Sequence, residues 1–258
     1  MIRYFISDLH LSDKRPDLIR AFVLMTKELI AQKETSELYI LGDFYEAWIG
    51  DDFQADWNTT IENALLDVSQ SGIPLYFLHG NRDFLIGDAW LARVGASLIQ
   101  EQTLLTLEKG SVLLTHGDEY CLEDVEYQKF RQTVRSSAWQ TQILALPLEQ
   151  RIALAAQLRN DSKSMATEKS MEIMDVTEAA IQSSLDAHHC KNLIHGHTHR
   201  PNTHNTENTL RCVLGDWDQD VYLASIEGNH YSQCKATAED FNKGGLKSLQ
   251  VSHEETLY

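Results

Sequence analysis

The chain has 258 residues, is 43% hydrophobic and 23% charged, and carries a formal net charge of −16. That length and balance exclude a wholly disordered chain and supply ample material for a buried core, while the acidic excess excludes a protein that binds nucleic acid through a basic face. No apolar run reaches membrane-spanning length, "MIRYFISDLHL" turns acidic too soon for a signal peptide, and Cys121, Cys190, Cys212 and Cys234 form no Cys-x-x-Cys pair, so a cytosolic protein with reduced thiols is expected.

In chain order, short apolar runs predict strands at 2–7 ("IRYFIS"), 37–41 ("ELYIL"), 74–78 ("PLYFL"), 111–115 ("SVLLT"), 192–195 ("NLIH"), 210–214 ("LRCVL") and 221–226 ("VYLASI"). Leu18, Phe22, Met25 and Leu29 share one stripe and predict a helix over 18–30; a second covers 61–68. This alternation predicts an α/β fold whose sheet faces are covered by helices. Residues 121–170 interrupt it. They hold no strand candidate, and Leu148, Ile152, Ala155 and Leu158 fall at helical spacing. They carry seven Lys/Arg against six Asp/Glu, so the segment is near +1 and the rest near −17. We read 121–170 as a helical cap inserted over the strand ends; the alternative is a plain helical pair packed on the sheet. No Gly/Ser linker divides the chain, so 1–258 is read as one domain, with 229–258 a C-terminal extension of unassigned role.

The polar residues follow a rule. Asp8 and His10 come after the first strand, Asp43 after the second, Asn81 after the third, His116 after the fourth, and His197 and His199 after the fifth, in "LIHGHTHRPNT". Ligands of open α/β sheets bind beyond the carboxyl ends of strands, and the neighbouring glycines permit sharp turns. Each piece alone is also an ordinary turn signal. Together they supply carboxylate, imidazole and amide oxygen with no thiolate, a set suited to Mn²⁺, Fe²⁺ or Zn²⁺. Seven ligands exceed the needs of one ion and divide between two if a carboxylate bridges, the arrangement that activates water at a phosphorus centre.

The ordered motifs "DLH" (8–10), "GD" (42–43), "GNRD" (80–83), "HGD" (116–118) and "GHTH" (196–199) resemble those of the calcineurin-like metallophosphoesterases. The resemblance implies a β-sandwich core flanked by helices. It implies one metal at Asp8, His10, Asp43 and His199, and another at Asp43, Asn81, His116 and His197, with Asp43 bridging. One departure is informative: Arg82 stands where that family has a histidine. An arginine is no general acid near neutral pH, so a poor leaving group would not depart. A phosphate leaves without a proton, and a guanidinium can neutralise a diphosphate, which points to a P–O–P bond as the target. The alternative is an ordinary ion pair from Arg82 to Asp83 or Asp88.

"LGDFYEAWIGDD" (41–52), "HGNRDFL" (79–85), "LPL" (146–148), "NDSKS" (160–164), "KSMEIMDVT" (169–177) and "LIHGHTHRP" (193–201) are similar, more closely, to the UDP-2,3-diacylglucosamine diphosphatase family of lipid A synthesis. That similarity implies hydrolysis to UMP and 2,3-diacylglucosamine 1-phosphate by attack of an activated water on the α-phosphorus, with two Mn²⁺. It implies catalytic Asp43, Asn81, Arg82 and His116, and substrate contacts at Asn81, Arg82, Asp124, Ser162, Lys169 and His197. Ala166 stands where relatives often have Asn. The expected partner is a nucleotide-lipid substrate at the cytoplasmic face of the inner membrane, with the protein peripheral and monomeric. In the cap, Trp139, Ile143, Leu144, Leu146, Leu148, Ile152 and Leu158 are either an acyl-chain trough or helix–helix core. Asp118 is expected to orient a ligand histidine, and His195 either to support the ligands from behind or to be structural. The competing functions are a broader phosphodiesterase or nucleotidase on the same fold and a non-catalytic adaptor at a membrane surface.

Overall fold

The computed structural model describes residues 1–168, 173 and 175–258, apart from the side chains of Ser36 and residues 161–168. β1 (Ile2–Ile6), β2 (Thr35–Leu41), β3 (Leu75–Leu78) and β4 (Ala96–Leu98) lie parallel. They are linked in turn by α1 (Pro16–Ala31), α2 (Asp56–Gln70) and α3 (Asp88–Val94). In α1, Pro16 opens the first turn and Leu18, Phe22, Met25 and Leu29 form the buried stripe, as the spacing predicts.

A second sheet orders β5 (Thr103–Thr106), β6 (Ser111–Leu114), β7 (Asn192–His195), β9 (Leu210–Val213) and β8 (Asn202–Asn205). Within it β6, β7 and β9 are parallel. Alternation of side chains along each strand divides the core between two faces. Phe5, Tyr39, Leu41 and Leu78 meet Leu114, Ile194 and Cys212 between the sheets. Tyr4, Ile6, Leu38, Ile40 and Phe77 point the other way, onto the first three helices. Outside the second sheet, α7 (Glu178–Ala187) lays Ile181 and Leu185 on Leu113 and Leu193. The result is a β-sandwich with a helical layer on each side.

Residues 229–258, without a role in the sequence, are part of this sandwich. β10 (Asp220–Glu227), β11 (His230–Thr237) and β12 (Gln250–Thr256) continue the first sheet antiparallel beyond β1, and α8 (Ala238–Gly244) packs on α1. Tyr231 and Leu257 are buried between the sheets. Buried Asn192 clasps the last residue: its Nδ2 donates to Tyr258 O at 3.0 Å, and its Oδ1 accepts from Tyr258 N at 3.0 Å.

Between β6 and β7 the chain forms α4 (Val125–Val134), α5 (Ser137–Leu144) and α6 (Leu148–Glu168). None of Trp139, Ile143, Leu144, Leu146, Leu148, Ile152 and Leu158 is fully buried, so these residues do not form a helix–helix core. Leu144 and Ile152 stand 43% and 46% exposed. No helix among the described residues is long and apolar enough to cross a membrane.

Candidate metal centre

The ends of β1, β2, β3, β6 and β7 deliver Asp8, His10, Asp43, Asn81, His116, His197 and His199 to one place. Five of these seven, Asp8, His10, Asp43, His197 and His199, have left-handed backbone with φ between 48° and 67°. Such backbone costs about 1–2 kcal/mol per L-residue and persists only where the surrounding fold enforces it. The glycines beside them make the approach possible. A Cβ on Gly80 would lie 2.2 Å from Asp43 N and Oδ1, and one on Gly196 would lie 2.1 Å from Asp8 Oδ2. A Cβ on Gly42, at φ 86°, would lie 2.6 Å from the Gly80 backbone and 2.7 Å from His116 Nδ1.

Two groups of ligand atoms result. In one, His10 Nε2 and His199 Nε2 are 3.2 Å apart, with Asp8 Oδ1 3.4 Å from His199 Nε2 and 4.0 Å from His10 Nε2. In the other, Asn81 Oδ1 lies 3.0 Å from His116 Nε2 and 2.9 Å from His197 Nδ1. Asp43 reaches both, with Oδ2 3.9 Å from His10 Nε2 and Oδ1 3.6 Å from His116 Nε2.

The chemistry of this set fits divalent cations. Asp8 Oδ1 is buried with no hydrogen-bond partner, while Oδ2 accepts from Ser7 Oγ at 2.6 Å and His197 N at 2.8 Å. His116 Nδ1 donates to Leu41 O at 2.8 Å, which turns Nε2 toward the cluster. His10 Nδ1 is 3.4 Å from Glu46 Oε2, and His199 Nδ1 is 3.3 Å from Asp216 Oδ2. Ligating histidines are held by such partners on the far ring nitrogen. Burial opposes charge on His116, yet the Asp43 and Asp8 carboxylates raise it to about 9. Burial likewise opposes charge on His199, and Asp216 and Asp8 raise it to about 10. His197, by contrast, is lowered to about 4 by burial and by His116. Burial also opposes ionisation of Asp8, but the surrounding histidines hold its carboxyl well below the usual range. The carboxylates thus favour positive charge at His116 and His199.

Glu46 and Asp216 carried no signal in the sequence beyond being acidic. Tyr127, whose ring stacks on His197 at 6.1 Å, and Arg159, whose Nε is 2.5 Å from Glu46 Oε1, were equally silent.

Other expected residues fall into place unevenly. Arg82 N donates to Asp43 Oδ1 at 2.8 Å and its Nε is 3.9 Å from Asp43 Oδ2, so the side chain faces the cluster. Asp83 is not its partner. That buried carboxylate accepts from Gly80 N at 2.8 Å and Phe44 N at 2.7 Å, bracing the two loops that carry Asn81 and Asp43. Asp118 does not orient a histidine, contrary to expectation. Its Oδ2 accepts from Tyr127 Oη at 2.5 Å and Arg131 Nε at 2.8 Å, because α4 passes directly over it. His195 is buried, donates Nδ1–H to Gly196 O at 2.9 Å, and is pushed down to about 3, as suits a structural residue. Asp124 caps α4, accepting from Tyr127 N at 3.0 Å. Ser162 and Ala166 belong to α6, but their side chains, like all of Lys169, lie outside the described residues.

Comparison with known proteins agrees with this geometry. Residues 3–201 match the calcineurin-like phosphoesterase family. The chain is 47% identical over 223 residues to a UDP-2,3-diacylglucosamine hydrolase of Chromohalobacter salexigens, covering 84% of this chain and 89% of that one. It is 44% identical to the enzyme of the same name from Haemophilus influenzae, covering 83% and 90%. Among solved structures, the phosphoesterase Yfce of E. coli superposes with a TM-score of 0.50 over the full length of both chains at 14% identity, a likeness of fold alone.

Proposed function

The chain belongs to the calcineurin-like phosphoesterases and, within them, to the UDP-2,3-diacylglucosamine hydrolases, and on that footing we propose that it cleaves the diphosphate of UDP-2,3-diacylglucosamine. The products are UMP and 2,3-diacylglucosamine 1-phosphate, and water attacks the α-phosphorus. The observation that carries this reading is the convergence of seven strand-end ligands beside an arginine that cannot act as an acid.

Asp8, His10, Asp43 and His199 would hold one ion, and Asp43, Asn81, His116 and His197 the other; we propose Mn²⁺ for both. When bound, the pair supplies the Lewis acidity that activates water and neutralises charge at phosphorus. The side chains do the rest. Arg82, fixed by its backbone bond to Asp43, sets its guanidinium against the diphosphate and compensates the charge gathering on the departing sugar phosphate. That phosphate leaves without a proton, which removes the need for the family's histidine. Asp43, Asn81, Arg82 and His116 thus form the catalytic group. Asn81, Arg82, Asp124, Ser162, Lys169 and His197 contact substrate, the serine and lysine gripping the sugar phosphate. The half-buried Trp139, packed 6.1 Å from Phe84, and the exposed Leu144 and Ile152 offer apolar side chains to the acyl groups. Each acyl CH₂ buried there contributes about 0.8 kcal/mol.

A diacylated substrate resides in a membrane. We therefore assign the protein to the cytoplasm, as a monomer that visits the cytoplasmic face of the inner membrane. The near-neutral cap meets that anionic surface more easily than the acidic remainder. Turnover of UDP-2,3-diacylglucosamine with Mn²⁺ in ¹⁸O-water tests the reading. Label in UMP is expected, with its loss in Asp43→Ala. Unlabelled UMP, or bis(p-nitrophenyl) phosphate cleaved as fast as the lipid substrate, overturns it in favour of a different mechanism or a broader phosphodiesterase.

A further inference from the structure

Beyond α4, whose Val134 is buried, the cap joins the sandwich through polar contacts. α5 buries no residue, and among the described side chains of α6 only Arg151 is buried, 4% exposed. Its guanidinium makes four hydrogen bonds. Nε donates to Leu146 O at 3.0 Å, at the junction of α5 and α6. Nη1 donates to Ile49 O at 2.6 Å and Asp52 Oδ1 at 2.7 Å, and Nη2 to Asp52 Oδ2. One side chain thus ties the bend of the cap to the loop that leaves Asp43 through Glu46. The loop is shaped to receive it: Gly50 has φ 127°, and a Cβ there would lie 2.2 Å from Arg151 Nη1 and 3.0 Å from Leu144 Cδ2. The Arg151 hydrogen bonds hold the Asp52 carboxyl below the usual carboxylate range. About two turns further along α6, roughly 12 Å at helical rise, Arg159 meets Glu46, whose other oxygen faces His10.

We propose that Arg151 is a positioning residue that seats the apolar cap over the metal centre, setting the grip on the acylated half of the substrate without touching phosphorus. This rests on the diphosphatase reading for its substrate. A planar guanidinium with four acceptors fixes both distance and orientation, which lysine or an apolar side chain cannot reproduce. α5 and the described part of α6 bury no apolar residue, so among the described residues the buried contact at the bend is that of Arg151.

The test compares wild type with Arg151→Met, Arg151→Lys and Gly50→Ala. Readouts are kcat and KM on UDP-2,3-diacylglucosamine and amide hydrogen exchange over 137–160. Loss of charge-assisted bonds of this strength predicts a rise in KM of about tenfold or more in Arg151→Met, with kcat falling by less than about threefold. Exchange in α5 and early α6 accelerates while the strands stay protected. Arg151→Lys recovers part of the KM, and Gly50→Ala, which pushes from the loop side, reproduces the Met pattern. Wild-type KM and exchange in Arg151→Met overturn the proposal, as does a fall in kcat with KM unchanged. If Arg151→Met does not fold, Asp52→Asn decides: it keeps both backbone carbonyls, and wild-type KM and exchange in that variant also overturn the proposal. If wild type itself releases no UMP, the diphosphatase reading fails, and the exchange data alone still decide whether Arg151 seats the cap.

Discussion

Asp216→Ala is expected to weaken one bound ion and spare the other. Asp216 Oδ2 lies 3.3 Å from His199 Nδ1, and the opposite ring atom lies 3.4 Å from Asp8 Oδ1. Removing the outer carboxylate leaves the ring free to turn and makes its inward nitrogen a poorer donor. Partners of this kind are worth about 10–100-fold in metal affinity. The Asp216 and His199 side chains are 25% and 41% exposed, so water replaces part of the lost contact and the low end applies. That is about tenfold, or ~1.4 kcal/mol. The second group is insulated: His116 takes its orientation from the Leu41 carbonyl, which no side-chain change removes. Calorimetric Mn²⁺ titration of metal-stripped protein checks this. Wild type should show two sites; the variant should show one weakened about tenfold and one within about twofold of wild type. Both sites weakening in step, or neither, would refute the division of ligands and the role given to Asp216.

Gly80→Ala places a Cβ 2.2 Å from Asp43 N and Oδ1, far inside normal contact, and should yield protein with little or no bound metal. Soluble variant carrying two ions by elemental analysis would contradict that. His79, pushed down to about 4 by burial, donates Nε2–H to Ile86 O at 2.7 Å. Below about 6.5 the unfolded chain binds a proton that the native His79 refuses, so stability falls as pH drops from there to about 4. His79→Gln should flatten that slope in urea melts at pH 7, 6 and 5, and an unchanged slope rejects the assignment. Asn192→Ala leaves the Ser111 carbonyl with Cys190 Sγ as donor and removes both contacts to the exposed Tyr258, and should cost about 1–2 kcal/mol by denaturant unfolding. A cost below about 0.5 kcal/mol would mean that the C-terminal clasp contributes little.

The strands that carry the candidate ligands are readable because each is short, apolar and closed by a polar turn, with a glycine in that turn in all but β1. Burial on both faces makes β1, β2, β3, β6 and β7 continuous apolar runs, and the turn chemistry marks where each ends. The strands that went unread are of another kind. β11 ("HYSQCKAT") and β12 ("QVSHEET") lie at the sheet margin and alternate weakly, and in β12 Val251 is 56% exposed. Their strand character comes from pairing, β11 with β10 and β12 with β11, not from their own pattern. β4, β5 and β8 are three or four residues long and largely solvent-facing, too short for any period to register.

Within the site the division runs along sequence distance. The seven candidate ligands are legible because each follows a strand, a local mark. The groups that aim them carry none: Glu46 lies 36 residues from His10, Asp216 lies 17 from His199, and Arg151 lies 99 from Asp52. In a chain with 38 Asp and Glu, two orienting carboxylates are indistinguishable from the solvated ones until the fold brings them against a ring nitrogen. Asp118 shows the reverse error. It stands two residues from His116 and invited the role of its partner, yet α4 crosses above it and Tyr127 and Arg131 take the carboxylate instead. Proximity in sequence is a sound guide where a strand end fixes direction. It fails for second partners, because which carboxylate reaches which imidazole depends on how loops from different strands stack, and that is decided by the whole sandwich.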